Sequence, residues 1–154
     1  MSALARILGT CFFLGNVPKA PGTAGSLGAA AVALWLHVIY GIPGAGFAVY
    51  AFLLLAPASW AAGRVAEDIG KKDPQIVVID EWVGQWITLA GATVLNWKSF
   101  LAAFVLFRLF DIWKPPPIRQ IEKIPGGAGI VLDDAMAGIY AALVLYGAGW
   151  FNLY

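Results

Sequence analysis

Five apolar stretches, parted by short polar or proline–glycine segments, limit what this chain can fold into. They run from about Ser26 to Tyr40, Ala45 to Gly63, Ile76 to Leu95, Ser99 to Trp113 and Ile130 to Trp150. Crossing about 30 Å of hydrocarbon takes roughly 20 helical residues at about 1.5 Å each. The second, third and fifth stretches reach that length. The first and fourth are shorter and are expected to tilt, extend into the headgroups or lie partly buried. Gly41-Ile42-Pro43-Gly44 closes the first stretch as a turn. Lys114-Pro115-Pro116-Pro117 closes the fourth, because three prolines remove the donors and the room that a helix needs. Composition agrees: 60% of the chain is hydrophobic and 12% charged, against about 25% charged in ordinary soluble domains. Too few polar side chains remain to coat a soluble domain of 154 residues. The sequence therefore predicts an all-α, multi-pass membrane bundle of four to five embedded helices, forming one domain over residues 1–154.

The charges orient that bundle. With the N-terminus inside and the stretches alternating, the inner side receives residues 1–25, 64–75 and 114–129. Nine of the ten lysines and arginines then lie at the inner side: Arg6, Lys19, Arg64, Lys71, Lys72, Arg108, Lys114, Arg119 and Lys123. Only Lys98 falls outside. This is the positive-inside bias, and it predicts a cytoplasmic N-terminus. Trp97, Trp150 and Tyr154 suit an aromatic belt at the other boundary. The first fifteen residues carry one charge, Arg6, and no cleavage signature follows, so they are expected to form a short interfacial or buried helix.

A net charge of +1 with no basic stripe gives nucleic acid nothing to bind. Cys11 stands alone, which excludes a disulfide framework and a thiolate metal site.

All nine acids gather on the inner side, although the positive-inside rule does not ask it of them. Asp80 and Glu81 open the third stretch, Asp111 ends the fourth, and Asp133 with Asp134 opens the fifth. Asp68 and Asp73 sit in the loop before the third. Ile76-Val77-Val78-Ile79 and Ile130-Val131-Leu132 flank the two pairs, and carboxylates in such company are costly unless paired or bound to a cation. Helix dipoles account for acids at helix starts. They do not account for Asp111, which is placed at a helix end. A divalent cation would relieve the repulsion, and Mg²⁺ prefers oxygen ligands while keeping waters and sites for a phosphate.

Basic residues accompany the acids. Arg108 is three residues before Asp111, hence on the same helix face, and Lys114 and Arg119 follow. Arginine forks and lysine point charges are what phosphate recognition uses. Pairing within the cluster and the positive-inside bias would explain any one of them alone. Pro18-Lys19-Ala20-Pro21-Gly22-Thr23-Ala24-Gly25-Ser26 reads as a loop running into a helix, with N–H groups and the Thr23 hydroxyl available to an anion. An ordinary helix cap would read the same. Gly84 and Gly138, each four residues after an acid, would let two helices approach closely.

Other phosphatase chemistries lack their residues. His37, the single histidine, falls at the far end of the first stretch, and a cysteine phosphatase loop would need arginine at Val17. Metal-assisted hydrolysis remains. A small transporter with intramembrane acids is the rival class, but its acids should spread through the membrane depth.

Four segments then carry a family resemblance. They are Pro21-Gly22-Thr23-Ala24-Gly25-Ser26-Leu27, Ile79-Asp80-Glu81-Trp82-Val83-Gly84-Gln85-Trp86-Ile87-Thr88-Leu89, Phe107-Arg108-Leu109-Phe110-Asp111-Ile112-Trp113-Lys114-Pro115-Pro116-Pro117-Ile118-Arg119, and Gly126-Gly127-Ala128-Gly129-Ile130-Val131-Leu132-Asp133-Asp134-Ala135-Met136-Ala137-Gly138. In this order and spacing they resemble bacterial phosphatidylglycerophosphatase A. The resemblance implies a Mg²⁺-dependent enzyme of the inner membrane that converts phosphatidylglycerophosphate to phosphatidylglycerol and phosphate. Mg²⁺ is expected on Asp80, Glu81, Asp133 and Asp134, with Asp68 as a further ligand. Thr23, Arg108, Lys114 and Arg119 are expected to hold the phosphate. Asp80, Asp111 and Asp134 are the catalytic candidates, and an in-line water is expected to lose its proton either to the metal's influence or to a spare carboxylate such as Asp111. An aspartyl-phosphate route is the alternative for the same hydrolysis.

Overall fold

A computed structural model describes residues 2–154. Its helices are α1 (Ala3–Gly9), α2 (Pro21–Tyr40), α3 (Gly44–Ile69), α4 (Ile79–Ala90), α5 (Trp97–Trp113), α6 (Ile118–Ile121) and α7 (Gly127–Trp150), and a 3-10 turn covers Leu14–Asn16. No strand occurs among the described residues. α2, α3 and α7 are long and apolar enough to cross a membrane. Large apolar side chains point outward along them and along α5, among them Phe52, Leu53, Leu101, Val105 and Leu143. The protein is a helical membrane bundle.

Three boundaries differ from the sequence reading. α2 starts at Pro21 and not near Ser26, so the expected glycine-rich loop is the first turns of the helix itself. Proline suits this position because it has no N–H to leave unpaired and its φ is already helical. α3 runs through Arg64 to Ile69, where a loop was expected, and stops at Gly70 in the left-handed conformation (φ 71°). The third stretch shortens most: α4 has 12 residues, about 18 Å of rise, too little to cross. It cannot start earlier because the Val78 N–H donates to the Gly9 carbonyl at 2.8 Å. It ends as the N–H groups of Gly91 and Ala92 turn back to Thr88 and Leu89. Asn96 and Ser99 then open α5 with a reciprocal cap.

Short α4 is the centre of the bundle, buried along most of its length, with α2, α3, α5 and α7 around it. Its contact with α7 depends on glycine. A Cβ on Gly84 would strike the Asp134 carbonyl and the Phe107 ring, and one on Gly138 would strike the Gly84 carbonyl. Two backbones this close hold their N-terminal acids side by side. Toward α2 and α3, Trp86 packs on Phe47, Tyr50 and Trp82, and its indole N–H donates to the Ala29 carbonyl at 3.0 Å.

α1 lies across α3, as the expected short helix. After it, Cys11, Phe12 and Phe13 are all left-handed (φ 45°, 54° and 71°). That costs an L-residue roughly 1–2 kcal/mol each. The bend buries Cys11 in the core of α3, α4 and α7 while Phe12 and Phe13 stay exposed. Burial, and secondarily the charge of Asp80, raises the Cys11 thiol pKa well above its ordinary value.

Candidate active site

A cavity of about 370 Å³ opens at the end of the bundle where α2, α4 and α7 begin. Its lining draws on five parts of the chain. Lys19 to Thr23 come from the entry to α2, Asp73, Gln75 and Val77 from the α3–α4 connection, and Asp80 and Glu81 from α4. Arg108, Asp111 and Lys114 come from the end of α5, and Ile130, Asp133 and Asp134 from α7. The floor is acidic: Asp80, Glu81, Asp133 and Asp134 are all buried.

The two acidic pairs are built alike. In each, the first aspartate accepts from the N–H of the next residue: Asp80 Oδ1 from Glu81 and Asp133 Oδ1 from Asp134, both at 3.0 Å. Beyond that the partners diverge. Arg108 Nη1 lies 2.7 Å from both oxygens of Glu81 and from Asp111 Oδ2. The Ser26 hydroxyl donates to Glu81 Oε2 at 2.8 Å and also stands 2.9 Å from the Gly22 carbonyl. Lys114 Nζ lies 2.7 Å from Asp133 Oδ2 and 3.3 Å from Glu122 Oε1. Asp134 Oδ2 is buried with no hydrogen-bond partner among the described residues.

Two groups of the cavity wall outside the spanning helices have shifted pKa values. Burial disfavours the Lys114 ammonium, but Asp133 and Glu122 outweigh it and hold its pKa above the usual lysine value. Asp73 is raised above the usual carboxylate range, first by desolvation, with Lys114 pulling the other way. Lys114 is thus a fixed cation, wedged between helix ends in a left-handed conformation (φ 48°).

Eight of the sequence-predicted residues line this one cavity: Thr23, Asp80, Glu81, Arg108, Asp111, Lys114, Asp133 and Asp134. Two do not. Asp68 is exposed on the last turn of α3, since the helix continues where a loop was expected. Arg119 is exposed, and its Nη2 donates to the Trp113 carbonyl at 3.3 Å. Neither belongs to the cavity wall. Three contributors were passed over: Asp73 and Lys19 in the lining, and Ser26 behind Glu81. No local signal marks Ser26, because Glu81, the carboxylate it serves, is far away in sequence.

Among the described residues, no three acidic, histidine or cysteine side chains converge as a ready metal-ligand set. The donor chemistry nonetheless fits Mg²⁺, which takes one or two carboxylates and fills its shell with waters and phosphate oxygens. Asp134 Oδ2 is a buried carboxylate oxygen with nothing to bind, and such an atom calls for a partner. Gly22 and Thr23 add N–H groups from the unpaired first turn of α2, suited to an anion.

Comparison with known proteins identifies the family. The sequence profile of the family described as Phosphatidylglycerophosphatase A matches residues 7–148. Phosphatidylglycerophosphatase A of Escherichia coli strain K12 is 36% identical over 150 residues, covering 97% of this chain and 86% of that protein. The protein of the same name from Haemophilus influenzae is 37% identical over 149 residues, covering 96% and 90%. A Bacteroides thetaiotaomicron protein, provisionally named a phosphatidylinositol-3-phosphatase, is 37% identical over 155 residues, covering 97% and 96%. No solved structure matches. Matched over nearly its whole length, the chain is a phosphatase that belongs to the phosphatidylglycerophosphatase A family.

Proposed function

We propose that this cavity removes the terminal phosphate of phosphatidylglycerophosphate, giving phosphatidylglycerol and inorganic phosphate, with Mg²⁺ as cofactor. One observation carries the Mg²⁺ reading. Six carboxylates line the cavity against three cations, Lys19, Arg108 and Lys114. An acidic pocket repels a phosphomonoester unless a further cation joins it. Asp80 and Asp134 would hold that ion, because Glu81 and Asp133 are already engaged by Arg108 and Lys114. When bound, Mg²⁺ supplies Lewis-acid charge to a phosphoryl oxygen.

The chain's own residues do the rest. Arg108 grips Glu81 and Asp111 through Nη1, which leaves Nε and Nη2 for substrate oxygens. The Thr23 hydroxyl and the first N–H groups of α2 orient the phosphate. Asp111 takes a proton from a water that attacks phosphorus in line. The new P–O bond forms as the P–O bond to the headgroup glycerol breaks, and the glycerol oxygen leaves to take up a proton.

Nine of ten basic residues at the cavity end of the chain support a cytoplasmic face, in the inner membrane of a bacterium. The Bacteroides relative's provisional name concerns another headgroup. Both lipids present a phosphomonoester on a polyol that a phosphodiester joins to the lipid, so the reading extends to that shared chemistry.

The test is phosphate release by purified protein in mixed micelles of phosphatidylglycerophosphate, with Mg²⁺ or with a chelator, and with Asp134→Asn. Release that needs both Mg²⁺ and Asp134 supports the reading. Release indifferent to the chelator rules out the cofactor, and no release at all sinks the assignment. Phosphatidylinositol 3-phosphate as a second substrate decides the headgroup.

A further inference from the structure

The three cations of the cavity are not equivalent. Arg108 and Lys114 are committed to carboxylates at 2.7 Å, deep in the wall. Lys19 lines the same cavity, is exposed at its mouth, and has no ion-pair partner among the described residues. Its backbone is left-handed (φ 73°), between Pro18 and Pro21. A lysine seldom adopts this conformation, which is held only where the surroundings impose it. The prolines on either side restrict the backbone from which this side chain leaves.

Depth orders the site. The floor carries the buried acids Asp80, Glu81, Asp133 and Asp134, where the reacting phosphomonoester belongs, and the mouth carries one uncommitted ammonium. A volume of about 370 Å³ lies within the range of about 300–1,000 Å³ typical of small-molecule sites and exceeds what one phosphate needs. A substrate that fills it brings its headgroup inside, with its lipid end at the mouth. The group at that end of a phosphorylated polyol lipid is the phosphodiester, which carries one negative charge.

We propose that Lys19 forms a second phosphate subsite at the mouth of the cavity, one that takes the phosphodiester joining headgroup to lipid. The proposal rests on the lipid phosphatase reading above and names the feature by which the site tells a diester-linked headgroup from a bare phosphomonoester. Lys19 binds and does not react. Its charge is spent on the ground state and the transition state alike, so its loss appears in KM and leaves kcat alone.

The experiment compares wild type, Lys19→Gln, Lys19→Arg and Lys123→Gln on phosphatidylglycerophosphate in mixed micelles. Lys123 is exposed on the same side of the chain and does not line this cavity, so it reports general surface charge. Lys19→Gln is expected to raise KM about tenfold with kcat within about twofold, and Lys19→Arg to restore KM. Inhibition by inorganic phosphate should stay at the wild-type level. The subsite is overturned by an unchanged KM, by an equal rise in Lys19→Arg or Lys123→Gln, or by equally weakened phosphate inhibition. Binding of short-chain phosphatidylglycerol, which carries the diester alone, is measured on the same proteins and needs no turnover. Lys19→Gln should weaken it about tenfold, and equal binding by both proteins overturns the subsite. A wild-type chain that binds this lipid through Lys19 yet releases no phosphate would instead refute the parent function.

Discussion

Arg108 on α5 holds Glu81 on α4 through one guanidinium nitrogen, with Nη1 at 2.7 Å from both carboxylate oxygens. The same nitrogen lies 2.7 Å from Asp111 Oδ2. Two helices are thus tied by one corner of a planar fork, on a residue that lines the cavity, and the other donors have no hydrogen-bond partner among the described residues. A lysine offers a point charge and cannot serve both carboxylates and a phosphate. Arg108→Lys is expected to lower kcat/KM about a hundredfold while the protein stays folded, a loss of about 2.7 kcal/mol in transition-state binding. Steady-state kinetics beside a thermal melt checks this, and near wild-type kcat/KM would show that the fork is not used.

Ser26 has one hydroxyl proton and two acceptors in reach, Glu81 Oε2 and the Gly22 carbonyl. The charged carboxylate is the stronger acceptor, so the proton goes there and fixes the rotamer of Glu81. Hydrogen bonds to charged groups contribute about 1.5–3 kcal/mol. Ser26→Ala should therefore reduce kcat/KM by about tenfold or more, and Ser26→Thr, which keeps the hydroxyl, should recover most of it. Equal loss in both variants would assign the effect to packing.

Gln85 is fully buried on α4, and neither its amide oxygen nor its nitrogen has a partner among the described residues. A buried amide without partners costs about 1–3 kcal/mol. Gln85→Leu, of similar size, should then raise the melting temperature of the detergent-solubilised protein. A lower melting temperature would mean that the amide is satisfied in the membrane.

Asp68 and Arg119 were predicted to join the site and lie outside its wall. Asp68→Asn and Arg119→Gln should each keep kcat/KM within about twofold of wild type. A tenfold loss in either would move that residue back toward the substrate.

How far the sequence could be read depended on which physical force set each feature. Apolar length and charge asymmetry are local properties, so the helices α2, α3, α5 and α7 and the end that carries chemistry were legible. Asp80, Glu81, Asp111, Asp133 and Asp134 stood out because their neighbours are apolar. Helix ends set by tertiary contacts were not legible. Nothing within residues 76–95 says that the Val78 N–H will go to Gly9, which is far away in sequence, and so α4 was read too long. Arg64 to Asp68 looked like a loop because three of its five residues are charged, yet it continues α3 by burying Val65 and Ala66 while Arg64, Glu67 and Asp68 stay exposed. Ser26 and Lys19 were hidden for another reason. Their roles come from what α4 and the cavity mouth bring to them.

Buried Cys11 also has a bench consequence. The thiolate is the nucleophile that adds to a maleimide, and this lone cysteine is 4% exposed with its thiol held protonated by burial. The natural chain therefore already serves as an unreactive background for single-cysteine labelling. Lys98→Cys and Lys71→Cys place reporters on exposed positions at opposite ends of the bundle. With an impermeant maleimide on spheroplasts, the first should label at once and the second only after lysis; the reverse pattern would invert the proposed sidedness. The orientation of the enzyme can be read without rebuilding its interior.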